Sequence, residues 1–464
     1  MTVLPSAGVA FPATVPVVVI GGGACGMVAA LAASEAGAEA VVLERDPLPR
    51  GSTALSSGLV PACGTSFQRH LGIADTPALM AADIQRKAHG RNDPAIVDAV
   101  AAASGPAIDW LADRHAVPFS LVEGFLYPGH SVLRMHGPPD RTGAQLMDAL
   151  SEAVLRAGVE IVADAHATEL FATADGRVEG VGFRRPDGTP ERIGCGAVVL
   201  ACSGFGGNPE MVARWIPEMA GARYFGHAGN RGDAVAWGTA LGAAIGHMGA
   251  YQGHGSVAVP QEALVTWAIM MEGGIQVNVL GRRFSNEHGG YSEQAVHVLA
   301  QPGGIAWNVY DGRLHELAMG FEDYRRAAEA GAVRIAPDAT ELARICGAPA
   351  DALAATLRAA EQAAAGAEHD PFGRDFTGRP PLVPPYRAVR VTGALFHTQG
   401  GLVVDPGARV MRTDGTALPN LFAGGGAACG LSGEDVAGYL SGNGLLSAVV
   451  LGRLAGSRAG RLAI

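Results

Sequence analysis

The stretch that decides the fold is VVVIGGGACGMVAALAASEAGAEAVVLE, residues 17–44. An apolar run rich in β-branched residues, 17–20, leads directly into the turn GGGACG, 21–26. A helix-compatible segment follows, and a second apolar run, 40–43, ends in Glu44. This order predicts a βαβ unit with a dinucleotide-binding fingerprint in its first turn.

Each glycine of the turn has its own role in such a fingerprint. Gly21 permits the tight turn, Gly23 lets backbone N–H groups approach a pyrophosphate, and Gly26 lets helix and strand pack closely. The pyrophosphate then lies at the positive N-terminal end of the helix, near Ala24. Glu44 suits a ribose hydroxyl group and would repel a 2′-phosphate. The simpler alternative is a turn of this kind that holds no ligand.

The composition limits the class of protein. The chain has 464 residues, of which 48% are hydrophobic and 17% charged, so it is long enough for two or three globular domains. A formal net charge of −10 argues against nucleic-acid binding. The six cysteines form no CxxC pair, which predicts free thiols, no metal site and a cytoplasmic location. We find no signal-peptide pattern and no apolar run of about 20 residues, so no integral membrane span is predicted.

The later part of the chain predicts an α/β fold with an inserted domain. Residues 76–116 are predicted to form two surface helices, and residues 197–202 a buried strand. Residues 255–390 are richer in charged and aromatic residues, and residues 391–464 return to the Gly-rich, apolar style of the start. We therefore predict a discontinuous Rossmann-type domain of residues 1–254 and 391–464, interrupted by a second domain.

Four further segments, together with the βαβ unit, resemble one family of flavoproteins. They are GAVVLACSGFGGNPEM (196–211), GRRFSNE (281–287), GALFHTQGGLVVD (393–405) and LPNLFAGGGAACGLSGEDVAGYLSGNGLLSAVVLGRLAG (418–456). In this order they resemble the flavoprotein subunits of fumarate reductases and succinate dehydrogenases. The resemblance implies FAD in the Rossmann-type site and an α+β capping domain, residues 255–390, over the flavin.

The same resemblance implies which residues contact FAD. Covalent members attach the flavin through a histidine in the loop after the second strand; GSTALSSG (51–58) has none, so non-covalent FAD is expected. Gly426 stands where the family carries a glutamate, so one ribityl or ribose contact is expected to be lost or supplied otherwise. The expected contacts are Gly21, Gly23, Ala24, Gly26, Glu44, Arg45, Ser52, Thr53, Ser57, Gly58, Ala167, Ala201, Ser203, Gly204, Asn208, Asp233, Gly400, Gly401, Gly425, Gly442, Asn443, Leu445 and Leu446.

Two tyrosines stand where fumarate reductases carry arginines. Tyr291 matches the arginine that delivers a proton to the substrate, and Tyr439 matches the arginine that holds a substrate carboxylate. The two family histidines are matched by His254 and His397. Without two bidentate cationic donors, fumarate or succinate is disfavoured as the substrate. The tyrosines are instead similar to those of the 3-oxosteroid 1-dehydrogenases, whose third tyrosine is matched by Tyr127 in a Tyr-Pro loop.

Tyrosines at these positions suit the removal of hydrogen from a ketone. Desaturation next to a carbonyl removes an α-proton and a β-hydride, and the carbonyl oxygen gains negative charge. Tyr439, with a backbone N–H near Asn443 and Gly444, would stabilise that oxygen, and one such donor is typically worth ~3 kcal/mol. Tyr291 would accept the proton with help from a neighbour such as Tyr127, and flavin N5 would take the hydride.

Three functions stay open at this point. The first is a dehydrogenase for a 3-ketosteroid or a smaller cyclohexanone or oxocyclohexane carboxylate, whose carboxylate His254 and His397 could bind. The second is an ene or fumarate-type reductase that runs the reverse reaction, and the third is a flavin-binding electron-transfer protein without turnover. Arg134, His136 and Arg141 are alternative anion contacts or solvated side chains. The electron acceptor is left open.

Overall fold

The computed structural model describes residues 1–464, which form two compact units. The larger comprises residues 1–217, 225–251 and 397–464, and we call it the Rossmann unit. The smaller comprises residues 218–224 and 252–396, and we call it the inserted unit.

The chain up to residue 217 begins with the predicted strand–helix–strand order. Its elements are β1 (Thr2–Pro5), β2 (Thr14–Ile20), α1 (Ala24–Glu35), β3 (Ala40–Leu43), β4 (Val60–Pro61), α2 (Ser66–His70), α3 (Pro77–Lys87), α4 (Pro94–His115), β5 (Ser120–Leu121), β6 (Met135–Gly137), α5 (Gly143–Arg156), β7 (Glu160–Val162), β8 (His166–Ala172), β9 (Val178–Arg184), β10 (Pro190–Leu200) and α6 (Pro209–Trp215).

The rest of the chain runs through the inserted unit and returns to the Rossmann unit. Its elements are β11 (Arg223–Tyr224), α7 (Asp233–Ala240), β12 (Ile245–Gly246), β13 (Tyr251–Ala258), β14 (Ala263–Leu264), α8 (Ala268–Met271), β15 (Ile275–Val277), α9 (Tyr291–Leu299), β16 (Ile305–Tyr310), α10 (Gly312–Ala318), α11 (Glu322–Glu329), β17 (Arg334–Ala336), α12 (Ala339–Cys346), α13 (Ala350–Ala364), β18 (Tyr386–Thr398), β19 (Gly401–Leu402), β20 (Arg409–Met411), β21 (Ala417–Ala423) and α14 (Asn443–Ala463).

The main sheet of the Rossmann unit positions the fingerprint turn. It has nine strands, and β2 lies between β10 and β3, parallel to both. Strand β21 pairs parallel with β10, so the carboxyl ends of four strands meet at one edge of the sheet. Ligands of open α/β sheets bind outside this edge. In the inserted unit, a second sheet has the order β14-β13-β18-β16-β15, with β11 and β17 also paired to β18.

Helix α14 packs closely on α1 through glycines, a feature that the sequence reading missed. Added Cβ atoms on Gly452 and Gly456 would lie 2.6 and 2.0 Å from the backbone oxygens of Cys25 and Ala29. Only glycine permits this approach of two helix backbones. Because the helices run parallel and Gly452 lies beside the first turn of α1, the first turns of α14 extend past the N-terminus of α1.

One prediction from periodicity was wrong in detail, and another is confirmed in part. Helices α3 and α4 were expected at the surface, but α4 contributes Ile96, Val97, Ile108 and Leu111 to the core. By length and composition α4 is the one helix that could cross a membrane, and 56% of its most apolar window is buried inside the protein. The buried strand predicted at residues 197–202 is confirmed for 197–200, where it forms the end of the longer strand β10.

Candidate active site

A groove with an empty volume of about 810 Å³ opens at the carboxyl edge of the main sheet. Its walls come from the fingerprint turn, the ends of β3 and β10, and residues 227–233 and 425–426. Predicted FAD contacts that line it are Gly21, Gly23, Ala24, Glu44, Arg45, Ser52, Thr53, Ala167, Ala201, Ser203, Asp233 and Gly425. The groove therefore gathers residues from both ends of the chain.

The three fingerprint glycines differ in what surrounds them. Gly21 has a φ of +104°, and an added Cβ would lie 2.6 Å from the Ala201 carbonyl oxygen. A Cβ on Gly26 would lie 1.8 Å from the Gly21 oxygen, so helix and strand need glycine there. A Cβ on Gly23 would meet only the Thr53 hydroxyl, at 3.6 Å. The protein itself leaves space above Gly23, and this space suits a pyrophosphate at the helix N-terminus.

Glu44 is held in place by two backbone donors. Its Oε2 accepts a hydrogen bond from the Gly22 N–H at 2.7 Å, and its Oε1 accepts one from the Asp46 N–H at 2.9 Å. The side chain is buried at the carboxyl end of β3. Each carboxylate oxygen keeps acceptor capacity, which suits the ribose hydroxyl of a dinucleotide.

One wall of the groove was missed because it has no motif. The His227 N–H and the Asn230 side chain both donate to the Ser52 hydroxyl, at 2.9 and 2.8 Å. Arg45 donates to the Gly229 carbonyl oxygen at 3.0 Å. Arg45 and Ser52, expected as direct FAD contacts, thus also bind residues 227–230. The local sequence of that segment gives no signal of this contact.

The remaining predicted FAD contacts lie outside the residues that line this groove. Several have a packing or capping role: Gly400 lies against the His247 backbone, Gly401 against that of Ala428, and Asn208 caps α6. The full set is Gly26, Ser57, Gly58, Gly204, Asn208, Gly400, Gly401, Gly442, Asn443, Leu445 and Leu446.

Tyr439 lies buried just before the N-terminus of α14. Burial raises the pKa of its hydroxyl, and the backbone N–H groups of Gly442 and Gly444, which donate toward its oxygen, oppose that rise. The hydroxyl is therefore protonated at neutral pH. Because the hydroxyl lies near the positive N-terminal end of α14, its proton is more readily donated to an oxygen that gains negative charge.

His397 lies beside this tyrosine. The two rings make an edge-to-face contact with centroids 5.5 Å apart, and an added Cβ on Gly444 would lie 2.6 Å from His397 Nε2. Burial lowers the pKa of His397 to about 4, so the imidazole is neutral at pH 7. The structure thus brings three predicted residues of the Rossmann unit together, and Gly444 is glycine because the imidazole packs on it.

The loop that carries Tyr127 lies against the segment after Tyr439. His130 Nε2 donates to the Ser441 carbonyl oxygen at 2.9 Å, and a Cβ on Gly129 would lie 2.5 Å from Leu440 Cδ1. Tyr127 is half-buried, and burial raises its pKa to about 12. It is therefore a neutral phenol that can donate or accept a hydrogen bond but supplies no charge.

Three side chains near this loop hold the structure together, and two of them, Arg134 and His136, are buried. Arg134 is fully buried and bridges Asp75 and Asp83, with N–O distances of 2.9 and 2.7 Å. His136 is also fully buried, and Arg141 donates to three backbone oxygens. Removing one partner of a buried ion pair typically costs about 3–5 kcal/mol, so Arg134 is structural.

In the inserted unit, Tyr291 stacks on His254. Tyr291 is the first residue of α9, and the two ring centroids are 5.0 Å apart at an interplanar angle of 22°. His254 Nδ1 accepts from the Ser256 N–H at 3.1 Å, so the proton of the neutral ring is on Nε2. Burial lowers the pKa of His254 to about 3. The neutral imidazole thus packs face to face on the tyrosine ring.

The chain is similar to known flavoproteins along nearly its whole length. The pattern of the family described as FAD binding domain matches residues 16–445. A cytochrome-type fumarate reductase of Shewanella frigidimarina is 28% identical over 450 residues, which cover 97% of this chain and 77% of that protein.

Two solved structures resemble the chain over almost its whole length. The open conformation of a flavocytochrome c3 fumarate reductase gives a TM-score of 0.83 at 27% identity, covering 98% of this chain and 79% of that one. The 3-ketosteroid-Δ4-(5α)-dehydrogenase of Rhodococcus jostii RHA1, in complex with 4-androstene-3,17-dione, gives 0.80 at 26% identity, covering 98% and 99%. A fumarate reductase and a 3-ketosteroid dehydrogenase are thus both among the similar proteins.

Proposed function

The chain belongs to the FAD binding domain family, and on that premise we propose that it is a dehydrogenase that introduces a C=C bond next to the carbonyl of a cyclic ketone. It is an FAD-dependent oxidoreductase that acts on CH–CH groups. The observation that carries the proposal is the setting of Tyr439, which is buried against His397 just before the N-terminus of a 21-residue helix.

FAD is proposed to bind non-covalently in the groove of the Rossmann unit. Gly23 and Ala24 would hold its pyrophosphate, and Glu44 a ribose hydroxyl. When bound, FAD accepts the β-hydrogen of the substrate as a hydride. The space above Gly23 and the fixed Glu44 carboxylate support this placement.

The carbonyl oxygen of the substrate is proposed to bind to Tyr439. Loss of the α-proton places negative charge on this oxygen, and a preorganised donor in a buried site stabilises that charge more strongly than water does. The helix N-terminus behind the phenol oxygen adds to this effect. His397, neutral and adjacent, would be a second hydrogen-bonding group for the same oxygen or for a nearby carboxylate.

Tyr291 of the inserted unit is proposed to accept the α-proton. A free tyrosine has a pKa of about 10, so it needs a neighbour that stabilises the phenolate. Tyr291 is the first residue of α9, and the positive N-terminal end of this helix would favour the phenolate. We further propose that the inserted unit serves as the capping domain.

The proposed substrate is a 3-ketosteroid or a smaller ring, such as a cyclohexanone or an oxocyclohexane carboxylate. Neutral tyrosines and histidines bind a ketone without the charge that a dicarboxylate requires. A second candidate is the reverse reaction, reduction of an activated C=C bond. The fumarate reductases among the similar proteins favour it.

An anaerobic absorbance experiment on the FAD-loaded protein tests the proposal. Aliquots receive a 3-oxosteroid, cyclohexanone, 4-oxocyclohexanecarboxylate or succinate, and the long-wavelength band of oxidised flavin is followed. We expect bleaching by a ketone and not by succinate. Tyr291→Phe should keep FAD and slow the bleaching by about 10²-fold or more, as for other lost acid–base groups.

Other results would replace the proposal. If no ketone bleaches the flavin, but an enone or fumarate reoxidises chemically reduced protein, the reductase is correct. Bleaching by succinate alone would show that the two tyrosines do not exclude a dicarboxylate. Tyr386→Phe, a half-buried tyrosine elsewhere in the inserted unit, is the matched control and should bleach at the wild-type rate.

A further inference from the structure

A chain of buried side chains ends at the imidazole of His397. The Asn443 amide Nδ2 donates to the Ser432 hydroxyl at 3.3 Å, and this hydroxyl donates to Gln399 Oε1 at 2.8 Å. Gln399 Nε2 then contacts His397 Nδ1 at 3.1 Å. Ser432, Gln399 and Asn443 are almost completely buried, and the whole chain belongs to the Rossmann unit.

The direction of this chain is set at Asn443. Its Oδ1 is buried without a hydrogen-bond partner. If every hydrogen bond of the chain ran in the opposite direction, the Asn443 amide N–H groups would occupy the position of Oδ1. A buried N–H without a partner is rarer than a carbonyl oxygen without one. The Gln399 amide therefore turns its N–H toward His397, whose Nδ1 must accept, and the single proton of the neutral ring lies on Nε2.

Two other neighbours of His397 favour the opposite tautomer. The Thr398 carbonyl oxygen lies 3.3 Å from Nδ1 and would accept a proton from it. Nε2 lies against Gly444 in the first turn of α14, where the positive end of the helix favours a lone pair over an N–H. Of these three neighbours, only Gln399 holds the proton on Nε2.

We propose that Gln399 is a positioning residue that keeps the proton of His397 on Nε2, so that His397 presents a hydrogen-bond donor to a substrate oxygen. For the substrate contact this inference rests on the proposed function. With the Tyr439 hydroxyl nearby, His397 then completes a pair of neutral donors. Such a pair selects a substrate whose oxygen accepts hydrogen bonds, as a ketone or carboxylate does.

The tautomer can be read directly by NMR on FAD-loaded protein labelled with ¹⁵N-histidine. His397→Gln identifies the signals of His397. We expect a protonated Nε2 and an unprotonated Nδ1 in the wild type. In Gln399→Leu the proton should move to Nδ1, where the Thr398 oxygen accepts it. Gln399→Glu keeps the size of the side chain, and its carboxylate should also draw the proton to Nδ1. This second variant keeps the test valid if the leucine variant does not fold.

Kinetics separate positioning from a structural role. With the ketone that bleaches the wild type best, kcat/KM should fall about tenfold in Gln399→Glu, the value of one neutral hydrogen bond. Gln301→Leu, at a glutamine of the inserted unit that donates to the His297 carbonyl oxygen, should keep the wild-type tautomer and rate. A protonated Nδ1 in the wild type, or an unchanged tautomer in both Gln399 variants, would overturn the inference. Because the NMR result needs no turnover, failure of the ketone panel would reject the proposed function without touching this assignment.

Discussion

The groove for FAD and the cluster around His397 both belong to the Rossmann unit, but they are built from different parts of the chain. The groove is formed by backbone: two glycines are there because a Cβ would strike a carbonyl oxygen, and a third leaves space for a ligand. The cluster is formed by side chains, with Gln399, Ser432 and Asn443 linked by hydrogen bonds. Contacts between neighbouring backbone segments fix the spacing of glycines in the sequence, whereas hydrogen bonds between side chains of distant segments fix no spacing.

The largest effect is expected at a glycine that the protein itself requires. Gly26→Ala places a Cβ 1.8 Å from the Gly21 oxygen, and neither backbone segment can move without opening the βαβ unit. We expect the free energy of unfolding to fall by more than about 3 kcal/mol, with loss of bound flavin. Urea unfolding followed by circular dichroism measures this.

Gly312→Ala is the matched control for this substitution. Gly312 also lies in the first turn of a helix, and an added Cβ there meets nothing within 4 Å. Its stability should be unchanged or slightly higher, since alanine is the better helix former. Wild-type stability in Gly26→Ala would show that the clash is relieved by local movement and that the groove is less rigid than the structure implies.

Tyr439→Phe should have the next largest effect, and it should change the rate of flavin reduction without changing stability. The phenyl ring fills the same buried space, so the protein should fold and bind FAD normally. Loss of the hydroxyl should lower the rate of flavin reduction by about 10²-fold, the value of one oxyanion donor. Stopped-flow reduction by the best ketone measures it, and a wild-type rate would remove Tyr439 from the carbonyl site.

The sequence predicted the fingerprint turn and two of the side chains in the His397 cluster. A βαβ unit has a fixed spacing between its turn and the end of its second strand, so Gly21, Gly26 and Glu44 could be assigned to residue numbers. Tyr439 and His397 could be named because they stand at positions where a resembling family keeps its substrate contacts. The structure brings these two together, at 5.5 Å between ring centroids.

The missed residues share a physical reason. His227 and Asn230 reach Ser52 across about 175 residues of sequence, and Gln399 meets Ser432 through a hydroxyl that any serine could provide. Neither contact depends on local periodicity. Helix α4 was placed at the surface because its alanines are ambiguous, and only tertiary packing decides which face of such a helix is buried.

Gly23→Ala sharpens the comparison within the fingerprint itself. The nearest atom to its Cβ would be the Thr53 hydroxyl at 3.6 Å, an ordinary contact, so the stability of the apoprotein should stay at the wild-type value. The methyl group would occupy the space through which a pyrophosphate approaches, and the Kd for FAD should rise about tenfold or more. Fluorescence titration of the apoprotein with FAD measures it, and unchanged affinity would move the pyrophosphate away from Gly23.

A last effect is expected from acid acting on His136, a buried histidine of β6 that lies outside the cluster around His397. Burial lowers the pKa of His136 to about 4, below the value of about 6.5 in an unfolded chain. Between these values the unfolded state binds a proton that the folded state does not, so stability falls as the pH falls from about 6.5 to about 4. Each pH unit costs about 1.4 kcal/mol for such a histidine. Because burial also lowers the pKa of His254 and His397, His136→Gln should remove one proton's share of the fall in stability between pH 6.5 and 5 and leave the rest. Urea unfolding at several pH values measures this, and an equally steep dependence would mean that His136 titrates normally in the folded protein.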